Sequence, residues 1–161
     1  MNNGTALRNN RSAFGACEGQ GRSAKPYRLI THTADLGMEV RGKDLPDLFT
    51  QAGWAFFDIM MDARRIDLQQ KRTINVTAPD REALLNAWLG ELLYLFETRH
   101  LVFGKFLIQS LTPQSLQALG WGERFDLKKH HLKSTIKAVT YHQLRIWEEK
   151  GIWRARVIFD L

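Results

Sequence analysis

Cysteine is almost missing from this chain. Its single copy, Cys17, excludes an intramolecular disulfide and a Cys-based zinc cluster, and its place in a polar N-terminal stretch excludes a buried cysteine nucleophile. No apolar run approaches the roughly 20 residues that cross a bilayer, so no transmembrane helix is expected. The start of the chain also lacks the apolar segment of a secretory signal. Neither GxxxxGK[ST] nor a GxGxxG following a strand is found, which argues against tight nucleotide binding by those loops; HExxH and GxSxG are missing too. The histidines, His32, His100, His130, His131 and His142, lack zinc-site spacing.

What is there fits one soluble domain. The chain has 161 residues, 44% hydrophobic and 25% charged, enough to bury one substantial core. Residues 1–26 stand apart: they are rich in Asn, Gly, Ser, Ala and Arg with no sustained apolar period, and are expected to be a disordered extension preceding a domain at 27–161. The formal net charge of +6 divides evenly. Arg8, Arg11, Arg22 and Lys25 against Glu18 leave +3 in the extension, and hence +3 in the domain. A mildly basic domain does not by itself indicate a nucleic-acid surface.

Along the domain, Tyr27–His32 and Leu36–Arg41 read as strands around a short Thr33-Ala34-Asp35 connection. Asp44 is a candidate N-cap with Pro46 in the first turn, and Leu45, Leu48, Phe49, Ala52, Phe56, Ile59 and Met60 recur at helical spacing. Thr73–Ala78 alternates as a strand. Asp80 caps a second helix lined by Leu84, Leu85, Trp88, Leu89, Leu92, Leu95 and Phe96. Leu101–Thr112, broken by Gly104, and Leu116–Phe125 are further strands, and 126–133 is a polar link. The ending, Ile136–Leu161, predicts a hairpin turning at Glu148-Glu149-Lys150-Gly151. These elements predict an α+β two-layer sandwich, mostly antiparallel, with two amphipathic helices packed on one face.

In the last strand, Trp153, Ala155, Val157, Phe159 and Leu161 alternate with Ile152, Arg154, Arg156, Ile158 and Asp160. The first set is expected to face the core; the second, mostly polar, faces solvent or a site. Asp160 then lies beside the carboxylate of Leu161, and two anions that close repel unless separated, protonated or neutralised by a cation. A hard divalent cation would take oxygen ligands from Asp35, Asp160 and Leu161. A solvated chain end is the competing reading. His142 on a strand reads equally as a hydrogen-bonded structural residue.

The segments His32-Thr33-Ala34-Asp35-Leu36-Gly37, Trp88–Phe96, Ile136–His142 (IKAVTYH) and Val157–Leu161 (VIFDL) together resemble the archease family, over about 27–161. The resemblance implies an α+β fold and a small cytosolic protein that binds a divalent metal, Ca²⁺ first, with Mg²⁺ or Mn²⁺ as alternatives. The implied metal ligands fall on Asp35, Asp160 and Leu161, and an important lysine falls on Lys137, with His32 and His142 in the same motifs. The family is not itself a ligase; it activates the GTP-dependent RNA ligase of the RtcB type in tRNA splicing and RNA repair. It promotes guanylylation of the ligase and repeated turnover, meeting RNA through the ligase. A small metal-dependent enzyme acting on a phosphorylated substrate and an RNA-binding module are the alternatives. The lack of a visible nucleophile–base pair counts against the first, the modest domain charge against the second.

Overall fold

The computed structural model describes residues 24–31 and 34–161. Most of residues 1–26, and His32 with Thr33, lie outside the described residues. The strands are β1 (Tyr27–Thr31), β2 (Asp35–Gly42), β3 (Gln70–Thr77), β4 (Leu101–Leu111), β5 (Ser115–Arg124), β6 (Ala138–Val139), β7 (Arg145–Glu149) and β8 (Ile152–Asp160). The helices are α1 (Leu45–Met60) and α2 (Arg81–Arg99). The fold is α+β and its strand pairs are antiparallel, as expected from the sequence, but the strands divide between two sheets.

Both helix starts are where the caps put them. The Asp44 carboxylate accepts from the Asp47 amide and the Asp80 carboxylate from the Ala83 amide, each at 2.8 Å, satisfying amide groups that have no partner inside the helix. Helix α2 ends at His100 in the left-handed region, φ 54°.

Helix α1 joins the two sheets. Its Phe56 meets Phe159 of β8 edge-on at 5.9 Å, while its neighbour Phe57 contacts Phe103 and Phe106 of β4. Trp88 of α2 packs edge-on against Phe106 and donates its indole N–H to the Phe49 carbonyl at 3.0 Å. Each of these buried rings contributes roughly 1.5–3 kcal/mol by leaving water. The buried indole keeps its hydrogen bond, so its burial leaves no polar group unsatisfied.

Strand β8 is central to the larger, five-stranded sheet. It pairs with β2 along its length on one side; on the other it pairs first with β7 and then, at its C-terminal end, with β6. The predicted hairpin is therefore real but differently divided. Glu148 and Glu149 belong to β7, and the turn is Lys150-Gly151, both at positive φ (52° and 77°), the backbone pattern that matches strand twist in a two-residue hairpin. The penultimate strand is not continuous: a turn at 140–144 separates β6 from β7, and Gln143 takes φ 53° there.

The alternation of β8 holds for Ala155, Val157 and Phe159, which are buried, and fails at two positions. Leu161 is 41% exposed and Ile158 only 4%. Ile158 is covered on the helix-free face because Gly37, opposite it, has no side chain: a Cβ there would sit 3.1 Å from the Ile158 Cδ1. Strand β3 begins at Gln70, earlier than its apolar alternation, because Gln70, Lys71 and Arg72 all pair with β5. The sequence places Gly104 at a break in β4, and the β4–β5 register shifts there, between Phe103 and Lys105.

Candidate functional site

Asp35 opens β2 and Asp160 closes β8, and the antiparallel register sets them directly opposite one another. Directly opposed residues on antiparallel strands project to the same face, with Cβ atoms roughly 4.5–5.5 Å apart. Both are exposed. The sequence suggests the two carboxylates as a pair without a way to bring them together; the register does so.

The next row is built to hold that corner rigid. Ile30, Gly37 and Ile158 lie side by side across β1, β2 and β8, and a Cβ on Gly37 would come within 3.0 Å of the Ile30 carbonyl oxygen as well as against Ile158. Gly37 therefore keeps β2 close to β1 while Ile158 seals the sheet beneath the carboxylates.

Lys137 precedes β6, is exposed, and its amide donates to the Asp160 carbonyl at 2.8 Å. Thr140 bonds twice to the Ile158 carbonyl, through its amide (3.0 Å) and its hydroxyl (2.9 Å). Asn86 of α2 donates to the carbonyls of Val139 and Thr140. Thus the IKAVTYH segment is clamped to the end of β8 and to α2. His142 is exposed and lies in the turn, not on a strand; its amide donates to the Thr140 hydroxyl at 3.3 Å. Asp35, Lys137, Asp160, Leu161 and the turn bearing His142 share one corner of the sheet, whereas the predicted His32 falls outside the described residues.

The other acids of interest are internally partnered. Asp58, 1% exposed, accepts from the Tyr27 hydroxyl (2.7 Å), Lys25 (2.8 Å) and the Ala63 amide (3.1 Å). Burial pushes its pKa up, but Lys25, Tyr27 and the amide outweigh this and hold it below the ordinary value. Burial and the neighbouring Asp58 raise the Tyr27 phenol far above its usual range. Glu39, buried on the helix-free face, is gripped by Arg156 and Arg28, each through two guanidinium nitrogens. Against the upward push of burial, they keep it ionised below the normal range.

The link 126–133 holds a cluster that its composition does not reveal. His130, 2% exposed, accepts the Asp126 amide on Nδ1 (2.9 Å), so its proton is on Nε2, which donates to Glu123 at 2.8 Å. Lys129 and the Asp67 amide complete the Glu123 shell, and together these donors hold its carboxyl below the usual range despite burial. The adjacent His130-His131 pair is the only sign of it in the sequence, and only a structural histidine comes of it.

The class this defines is a small α+β domain with two helices against antiparallel sheets and a solvent-facing carboxylate pair where the second and last strands meet. The chain belongs to the archease family: the Archease protein family matches residues 27–161. It is 36% identical to Protein archease of Methanosarcina mazei over 141 residues, covering 85% of this chain and 97% of that one. To the Pyrococcus furiosus protein of the same name it is 37% identical, covering 85% and 99%. The solution structure of Methanobacterium thermoautotrophicum protein 1598 superposes with a TM-score of 0.71 at 33% identity, covering 85% of this chain and 99% of that one. The Thermotoga maritima protein described as an archease, possible chaperone, shares the fold at 19% identity, with a TM-score of 0.56 and coverage of 88% and 100%.

Proposed function

We propose that this chain is an accessory protein that activates a GTP-dependent RtcB-type RNA ligase and is not a ligase itself. The observation that carries the reading is the register that sets Asp35 against Asp160 in a chain of the archease family. Such a pair of exposed like charges has little structural use and suits a cation shared with a partner.

The donor chemistry fits a hard divalent ion. Carboxylate oxygens from Asp35 and Asp160 with a main-chain oxygen of Leu161 match the oxygen preference of Ca²⁺, Mg²⁺ or Mn²⁺. Such ions take about six to eight oxygens, so the two carboxylates and one main-chain oxygen leave positions for water and for oxygens of the partner. Asp35, Asp160 and Leu161 would hold such an ion where it could supply positive charge to phosphate oxygens of the partner's nucleotide. Lys137, beside Asp160 in the backbone, supplies a positive charge toward the same phosphates. The clamp from Thr140 and Asn86 fixes the direction in which that segment points.

The test is RNA joining of a 3′-phosphate end to a 5′-hydroxyl end by an RtcB-type ligase, with and without this chain. The chain alone should join nothing and should raise ligase guanylylation and turnover when added. Asp35→Asn and Asp160→Asn should each lose that stimulation. In thermal melts, each should also lose the stabilisation by Ca²⁺, worth about 2.7 kcal/mol at a hundredfold excess over Kd. Lys137→Ala should lose stimulation while keeping the Ca²⁺ effect. If both Asn variants stimulate the ligase normally, the corner is a solvated strand end and the reading is wrong.

A further inference from the structure

The helix-free face of the five-stranded sheet carries a concentration of arginine that the domain's net charge conceals. Register places Arg28, Glu39, Arg156 and Arg145 in one row across β1, β2, β8 and β7, and Arg41, Arg154 and Trp147 in the next. Glu39 is consumed by Arg28 and Arg156. Arg41 and Arg154 face one another directly, as do Arg145 and Arg156. Like charges so placed destabilise a sheet.

Local acids relieve this arrangement only in part: Glu39 neutralises Arg156, one member of the second pair. Among the described residues neither Arg41 nor Arg145 has an ion-pair partner, and Arg154 has only Glu149, at 3.4 Å. That contact is made by the buried Arg154 Nε, which faces the Glu149 carboxylate without completing a hydrogen bond to it. Arg154 and Arg41 border a recess also lined by Lys25, Tyr27, Arg28 and Glu39, where an incoming oxyanion would relieve the repulsion between the two guanidinium groups. One row over, the Arg145 guanidinium sits 5.0 Å from the centre of the Trp147 ring.

We propose that this face binds single-stranded RNA, with Arg41 and Arg154 sharing a backbone phosphate and Trp147 with Arg145 forming a platform for a base. Guanidinium forks match phosphate oxygens, and an aromatic within a cationic strip suits the sequence-tolerant stacking of single strands. An acidic peptide would use the arginines but not the ring. The inference deepens the accessory role by giving the chain its own hold on the RNA, and its binding test needs no ligase, so the two can fail separately.

The experiment is fluorescence anisotropy of a labelled single-stranded RNA dodecamer against the full chain across a salt series, with melts in parallel. Arg41→Gln and Arg154→Gln should each weaken binding and flatten the salt dependence by about 0.7 in log–log slope for each phosphate neutralisation removed. Their melting temperatures without RNA should stay level or rise, since each relieves a like-charge pair; a merely structural arginine would lower them. Trp147→Leu should weaken binding with the salt slope unchanged. Replacing Arg8, Arg11 and Arg22 together by Ala should leave RNA binding at the sheet intact. Equal affinity in the Arg41→Gln and Arg154→Gln chains, binding abolished only by replacing the three N-terminal arginines, or tighter binding of a poly-glutamate peptide than of RNA would each overturn the proposal.

Discussion

Two groups of carboxylates in this domain are treated in opposite ways. Asp58, Glu39 and Glu123 are buried, and each collects donors from outside its own helix or strand: Lys25 and Tyr27, Arg28 and Arg156, Lys129 and His130. Asp35 and Asp160 are exposed and set against each other, and among the described residues neither has an ion-pair partner. A buried charge must be matched inside the fold because its desolvation is otherwise too costly. An exposed one can wait for a cation or a partner. The contrast separates charges that hold the structure from charges presented outward.

The sharpest way to break it is to treat a buried acid as if it were dispensable. Asp58→Ala leaves the Ala63 amide, the Tyr27 hydroxyl and Lys25 without their acceptor, and should cost about 3–5 kcal/mol, read from urea unfolding. A loss below about 1 kcal/mol would mean that water replaces the carboxylate and that Asp58 belongs with the exposed pair.

Acid titration tests all three buried acids at once. Their folded pKa values lie below the ordinary 3.8 for Asp58 and 4.5 for Glu39 and Glu123. Groups with depressed values add stability that is present above the unfolded pKa and lost as pH falls through the folded one. Stability should therefore hold down to about pH 4.5 and decline below it, and Glu123→Gln should shallow that decline. An unchanged acid profile in the Gln variant would remove Glu123 from the structural set.

The next effect concerns where the domain begins. The sequence places the boundary at 26/27, yet Lys25 bonds to Asp58 and the Pro26 carbonyl accepts the Arg41 amide at 3.0 Å. A chain starting at Tyr27 should lose about 1–2 kcal/mol relative to one starting at Ala24, the scale of a hydrogen bond to a charged group. Lys25→Ala in the full chain should reproduce most of that loss. Equal stability of the two truncated chains would support the boundary at 26/27.

The same division explains what can be read without coordinates. Helix caps at Asp44 and Asp80, the aliphatic stripes and the existence of a hairpin turn ending at Gly151 are local, and local chemistry is written in neighbouring residues. Asp35 is legible as a candidate through its motif, but its opposition to Asp160 is a register across 125 positions of chain, which no spacing encodes. The split of β6 from β7 is hidden because Val139, Tyr141 and Ile146 all favour strand, while Thr140 turns the chain by bonding to the Ile158 carbonyl. His130 and Ile158 escape a reading of the sequence for a related reason: both are buried against residues outside their own segment, Glu123 and Phe125 for one, Gly37 and Ile30 for the other. The arginine face is invisible to net charge, because an average over the domain does not report which strands carry the charge.

The smallest expected effect has the opposite sign from the others. Removing a carboxylate from the exposed pair should stabilise the metal-free chain, because like charges directly opposite on antiparallel strands repel while contributing no hydrogen bond that an amide could not make. Asp160→Asn should gain about 0.5 kcal/mol in chelator at low salt, within the range of cross-strand pair energies. The gain should shrink as salt is added, since both groups are exposed and their repulsion is screened. Asp35→Asn should behave alike, and the double substitution should add little beyond either single one, because the first already removes the repulsion; that non-additivity marks a direct interaction. With saturating Ca²⁺ the order should reverse, the original chain becoming more stable than either variant. If Asp160→Asn instead lowers stability in chelator, its carboxylate is accepting a bond from within the fold, as Asp58 does, and it belongs with the charges that hold the structure.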